Sequence, residues 1–150
     1  MMKGKSDNAY YMKELMRLLP ISDEASRAIF LNELELRDDL LVEEAEKVRA
    51  VKIALYDFSI DCRLRNMDLI AGAPLNARQL RMIRFRYIKG YTWKQLFGNQ
   101  GYSSHHCKRI HRDAITKIAE KNKDIDFRPL YEQERAKLDG LLAQVNEKRR

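Results

Sequence analysis

The chain has 150 residues, 45% apolar and 34% charged, with a formal net charge of +7, a balance that fits a folded protein and excludes global disorder. No apolar run is long enough to cross a bilayer or to act as a cleavable leader. Cys62 and Cys107 match no CxxC spacing, so reduced thiols in a cytoplasm are expected rather than a disulfide framework.

In chain order, residues 10–19 place Tyr11, Leu15, Leu18 and Leu19 on one helical face, and Pro20 ends that helix. Ser22 is the next N-cap, with Asp23 and Glu24 favouring the positive end of a new helix dipole. From there to about Ile70 neither proline nor glycine interrupts the chain. Apolar residues recur every seven positions at Leu34, Leu41, Val48, Leu55, Cys62 and Leu69, while the companion positions are mixed, with Arg37 and Glu44 and then Val51 and Phe58. One long helix and a hairpin broken near residues 37–40 both fit. So do packing on the chain itself and dimerisation, because a heptad repeat alone decides neither.

Ala71, Gly72, Ala73 and Pro74 stop that helix and mark a boundary. Asn76 with Gln79 three residues on predicts a capping box opening the next helix. Its apolar face is read as Leu80, Ile83, Tyr87 and Ile88, its charged remainder as Arg78, Arg81, Arg84 and Arg86, and its stop as Gly90. Thr92 and Gln95 repeat the device for a short helix that buries Trp93, Leu96 and Phe97, and Gly98 and Gly101 bracket the turn after it. Ser103 caps a third helix with Cys107, Ile110, Ala114, Ile115 and Ile118 inside and Ser104, His105, Lys108, Arg109 and Arg112 outside. Beyond Lys121 the helix frays. Residues 129–150 form a last amphipathic helix with Leu130, Leu138, Leu141, Leu142 and Val145 apolar and Gly140 as a weak point. Strand-like alternation is almost absent, so the predicted fold class is all-α, in three segments: a helical region 1–72, a unit of three short helices 73–122 and a C-terminal helix 123–150.

The charge sits in the middle segment. Residues 71–121 carry 11 Lys+Arg against 2 Asp+Glu, whereas residues 1–70 carry 11 against 14 and residues 122–150 carry 7 against 6. Such a footprint, on three short helices with helix-turn-helix spacing, points to nucleic acid rather than to a merely solvated face.

Within LNARQLRMIRFRYIKGYTWKQLFGNQGYSSHHCKRIHRDAITKI the order of features resembles the region 4 helix-turn-helix of sigma-70-type factors. A leucine and glutamine open the first helix and an aromatic stands near its end. A glycine and Thr92 follow, then Leu96, Gly101 in the turn, Ser103 as cap and the Ile110, Ala114, Ile115, Ile118 run. The match covers under a third of the chain. With the helical leader and the total length, the layout is similar to small phage-encoded transcriptional regulators of the ArpU and RinA type. Trp93 and Phe97 are larger than the residues usual at their places, so the local core is expected to be built around bigger side chains.

The resemblance implies a sequence-specific regulator, an activator of late or related phage genes, with double-stranded DNA as its partner. Host RNA polymerase and a second copy of the chain are further partners that this reading allows, and no membrane is involved. Base contacts are expected from Ser104, His105, Lys108 and Arg109, with Arg112 one turn on, and phosphate contacts from Ser103 and from Arg84 and Lys94. Arg78, Arg81, Arg86 and Lys89 extend the cationic supply. His105, His106, His111 and Cys107 lack the spacing of a zinc set, so no metal or other cofactor is expected. Catalysis is not expected either: the basic segment has only Asp113 and Glu120 as carboxylates, and the chain has no phosphate-binding glycine loop or nucleophile elbow. Two other functions fit the same residues: a small-terminase-like DNA packaging adaptor, and a region 4 mimic that binds polymerase without reading DNA.

Overall fold

The computed structural model describes residues 2–18, 42–99 and 103–149, and over these the chain is helical with no strand. The helices are α1 (Met2–Met16), α2 (Val42–Ile70), α3 (Ala77–Tyr87), α4 (Trp93–Asn99), α5 (Ser104–Lys121) and α6 (Phe127–Arg149). The expectations for Leu19, Pro20, Ser22, Leu34, Leu41 and the break near residues 37–40 lie outside the described residues, as does that for Gly101.

The seven-residue series on α2 faces inward. Val48, Leu55, Cys62 and Leu69 are buried, together with the companion residues Val51 and Phe58. They form one cluster with Met12, Leu15, Met16 and Leu18 from the first helix and its exit, Ile83 and Tyr87 of α3, Ala114, Ile115 and Ile118 of α5, and Phe127, Leu138 and Leu142 of α6. All three predicted segments therefore contribute to a single apolar core. The boundary at Gly72 is a helix end (φ +81°) and not a break in that core. On α1 the inward face differs from the predicted one: Met12 and Met16 are sealed and Tyr11 is half-buried against Tyr131.

Side chains of one helix satisfy the end carbonyls of another, groups that a helix cannot pair internally. Asn66 on α2 is fully buried and its Nδ2 donates to Met16 O at 3.0 Å and to Tyr87 O at 2.7 Å, the last residues of α1 and α3. Its neighbours act alike: Arg65 donates to Leu15 O at 2.9 Å, and Cys62 Sγ to Leu18 O at 2.9 Å. Asn122, the C-cap of α5, donates to Leu69 O at 2.8 Å near the end of α2.

The last helix begins two residues earlier than predicted, at Phe127, with Pro129 inside the first turn, where the missing N–H costs nothing. Its opening is held from the other end of the chain: Asn8 Oδ1 accepts from Phe127 N–H at 2.9 Å, and Asn8 Nδ2 donates to Ile125 O at 2.9 Å. This start buries Phe127 and leaves Leu130, expected inside, 40% exposed.

Two measurements test this account. Asn66→Ala strands two buried carbonyls, so urea unfolding should show a loss of about 2 to 4 kcal/mol, while Asp68→Ala on the exposed side should change little. Gly140 lies inside α6 where an added Cβ would meet nothing within 4 Å, so Gly140→Ala should raise stability by about 0.5 to 1 kcal/mol.

Candidate nucleic-acid interface

Three capped helix starts build the basic unit. Asn76 Oδ1 accepts from Gln79 N–H at 2.8 Å while Gln79 Oε1 accepts from Asn76 N–H at 3.1 Å, a complete capping box for α3. Gln79 Oε1 also takes Lys117 Nζ at 3.0 Å, which ties α3 to α5. Thr92 and Gln95 form the same reciprocal pair at α4, at 2.8 and 3.2 Å. Ser103 Oγ accepts from His106 N–H at 3.2 Å at the start of α5. Gly90 takes the left-handed conformation (φ +77°) two residues after the C-cap Ile88, and around it Lys89 N–H reaches Arg84 O and Tyr91 N–H reaches Phe85 O, both at 2.9 Å.

α3 lies between two apolar clusters, and this corrects its predicted face. Ile83 and Tyr87 enter the main core, while Met82 joins Cys107 and Ile110 in a second, smaller cluster covered by Trp93 and Phe97. Leu80, expected inside, is 36% exposed, and Met82 takes the sealed position. Trp93 and Phe97 stack at 6.3 Å and are half-buried rather than buried, with only Leu96 of that helix fully enclosed. Gly98 does not end α4, which continues to Asn99.

The sequence offers Arg86 as one of the phosphate-binding cations, and the structure removes it from that role. It is 7% exposed, donates to Tyr91 O at 3.1 Å, and its guanidinium lies 5.3 Å from the Trp93 ring centre and 5.8 Å from that of Tyr87. A planar cation between aromatic faces is a structural element here. Lys117 is half-buried on Gln79. The other nine basic residues of the segment are exposed: Arg78, Arg81, Arg84, Lys89, Lys94, Lys108, Arg109, Arg112 and Lys121. Most of the positive charge therefore meets solvent.

α5 divides in two along its length. Its C-terminal half sends Ala114, Ile115 and Ile118 into the main core, and its N-terminal half rests on the small cluster through Cys107 and Ile110. All five inward residues predicted for this helix are buried. Ser103 and Ser104 at the helix start are exposed, and opposite the inward residues so are His105, Lys108, Arg109 and Arg112. At 100° per residue, His105, Lys108, Arg109 and Arg112 fall within an arc of about 100°, a single outward edge. Lys94 is exposed on α4. Arg84 does not join this edge: it stands about 200° around α3 from Met82, and it lines a depression with Met67, Ala71 and Leu80 at the end of α2.

The histidines separate. His105 is exposed, His106 pairs with Arg78 through its Nε2 at 3.1 Å, and His111 is half-buried against Tyr87 and Trp93. Among the described residues no three His, Cys, Asp or Glu side chains come together to hold a metal ion. Tyr87 OH and His111 Nε2 share a short hydrogen bond. Burial, with the positive charges of Lys13, Arg86 and Arg17 as smaller causes, lowers the His111 pKa from 6.5 to about 4. Burial likewise pushes the Tyr87 phenol and the Cys107 thiol up. His111 is therefore neutral at pH 7. Among the described residues no helix is long and apolar enough to cross a membrane.

No protein-family model, curated protein or solved structure matches this chain.

The folded pKa of His111 lies below its unfolded value, so the unfolded chain binds a proton that the folded one refuses between pH 6.5 and about 4. The stability this group contributes is complete above pH 6.5 and declines as pH falls through that window. Unfolding free energies at pH 6.5 and 5 should differ by about 2 kcal/mol more in the parent than in His111→Gln, which keeps a neutral partner for Tyr87. Parallel pH profiles for the two proteins would remove this assignment.

Proposed function

We propose that the chain is a sequence-specific DNA-binding regulator of transcription that docks the N-terminal half of α5 in the major groove. The observation that carries this reading is the outward edge of that half. His105, Lys108, Arg109 and Arg112 stand exposed on one side, and the opposite side is anchored on Cys107 and Ile110. A helix so anchored holds its polar side chains at a fixed angle, which base reading requires. Lys108 or Arg109 suits guanine O6 and N7, Ser103 and Ser104 at the helix start suit a phosphate oxygen, and Lys94 on α4 adds a second point of phosphate attachment. The region 4 resemblance extends the reading to a phage-type activator working in the cytoplasm of a bacterium or of its infected host, with RNA polymerase as a further partner.

The test begins with selection of bound fragments from the source genome and proceeds to titration against salt. Arg109→Ala should weaken binding to the selected duplex by about 1 to 3 kcal/mol and relax its sequence preference, and Lys108→Ala should also lower the salt slope by roughly one. Arg84→Ala, on the far side of α3, should leave both nearly unchanged. If Lys108→Ala and Arg109→Ala bind the selected duplex with parental affinity and salt slope, α5 does not read the groove. A protein that bound polymerase but no duplex would instead be the region 4 mimic.

A further inference from the structure

α2 is apolar on two opposite sides, and only one of them meets the core. On the other, Ile53 is 62% exposed, Tyr56 68%, Ile60 37%, Leu64 55% and Met67 50%. Their spacing of 3, 4, 4 and 3 keeps them on one stripe, and Ile53, Ile60 and Met67 form a second seven-residue series that lies about 140 to 200° around the helix from the buried one. Isolated exposed apolar residues need no explanation, but a contiguous stripe over four turns marks a contact surface.

The charges beside the stripe identify what fits it. At 100° per residue, Asp57, Asp61 and Asp68 lie about 60 to 100° to one side of Ile60, and Lys52 and Arg63 about 60 to 80° to the other. One edge is acidic and the other basic. When two copies of such a helix pack in parallel about a two-fold axis running along them, the acidic edge of each faces the basic edge of its partner. Antiparallel packing sets the acidic edges against each other. We infer that the stripe Ile53, Tyr56, Ile60, Leu64 and Met67 is the homodimer surface of this protein, with the two α2 helices parallel.

This arrangement does not depend on the DNA-binding reading, since it follows from α2 alone. Where both hold, the parallel pairing keeps the two α5 edges at the same height along the axis, related by a two-fold rotation, and the target is an inverted repeat.

Light scattering and sedimentation of the full chain without DNA supply the test. The parent should have twice the 17.7 kDa chain mass, and Ile53→Asp with Ile60→Asp should halve it with an unchanged helical circular dichroism spectrum, because both residues lie outside the core. Orientation is read by cross-linking. Ile53→Cys alone should form a disulfide-linked dimer under mild oxidation, because residue 53 faces its own copy only in the parallel pair. A parent that stays monomeric at all concentrations overturns the inference. A dimer indifferent to the two aspartates overturns it as well. Cross-linking that needs Ile53→Cys on one copy and Met67→Cys on the other overturns the parallel arrangement. None of these readouts uses DNA, so they stand or fall apart from the binding assays.

Discussion

A helix cannot pair its own last carbonyls, and this protein solves the problem with side chains borrowed from across the fold. Asn66 is the centre of the solution, since one buried amide closes the ends of both α1 and α3. Arg65 and Cys62 extend the same seam along the exit of α1, and Asn122 closes α2 in turn. Each bond is worth little by itself in exchange for water, but a buried carbonyl left without one is costly. Helix ends therefore meet at fixed points, and the direction of α3, and of α5 packed on it, follows from where Asn66 stands.

The division of α5 is the functional counterpart of that constraint. Its root is gripped by α1 and the main core, while its tip sits on a small cluster of Met82, Cys107 and Ile110 roofed by two aromatic rings. Rigid packing below and exposed cations above are the two properties an edge needs if it is to meet a regular, negatively charged lattice in one orientation. The buried Arg86 contributes to the first property and not to the second. A cation in a basic segment is thus no guide to function until its surroundings are known.

Much of this was legible in the sequence. The pairs Asn76 with Gln79 and Thr92 with Gln95, and the Ser103 cap, are local devices whose partners lie three residues apart, so the starts of α3, α4 and α5 followed from spacing alone. The inward series of α5 was equally plain because that helix meets its neighbours along one continuous stripe. The failures have a common cause in partners remote along the chain. α3 faces two clusters at once, which exchanges Leu80 for Met82 and encloses Arg86 beneath Trp93 and Tyr87. The first turn of α6 depends on Asn8, some 120 positions away. On α2 the series read from the sequence is the one the core takes up, whereas the second apolar series at Ile53, Ile60 and Met67 stays outside and escaped that reading. The exposure of Ser104, His105, Lys108, Arg109 and Arg112 was readable. The orientation of Arg84 was not, because it depends on which side of α3 turns toward α5.

The two cysteines sit in different clusters, Cys62 in the large core and Cys107 under the tip of α5, and both thiols are shielded and held in their protonated form. Each is thus a native reporter of one compartment. A thiol reagent reaches Cys107 only when the small cluster loosens and Cys62 only when the main core opens. The order in which they are labelled measures whether the tip of α5 breathes on its own or only together with the body that carries it.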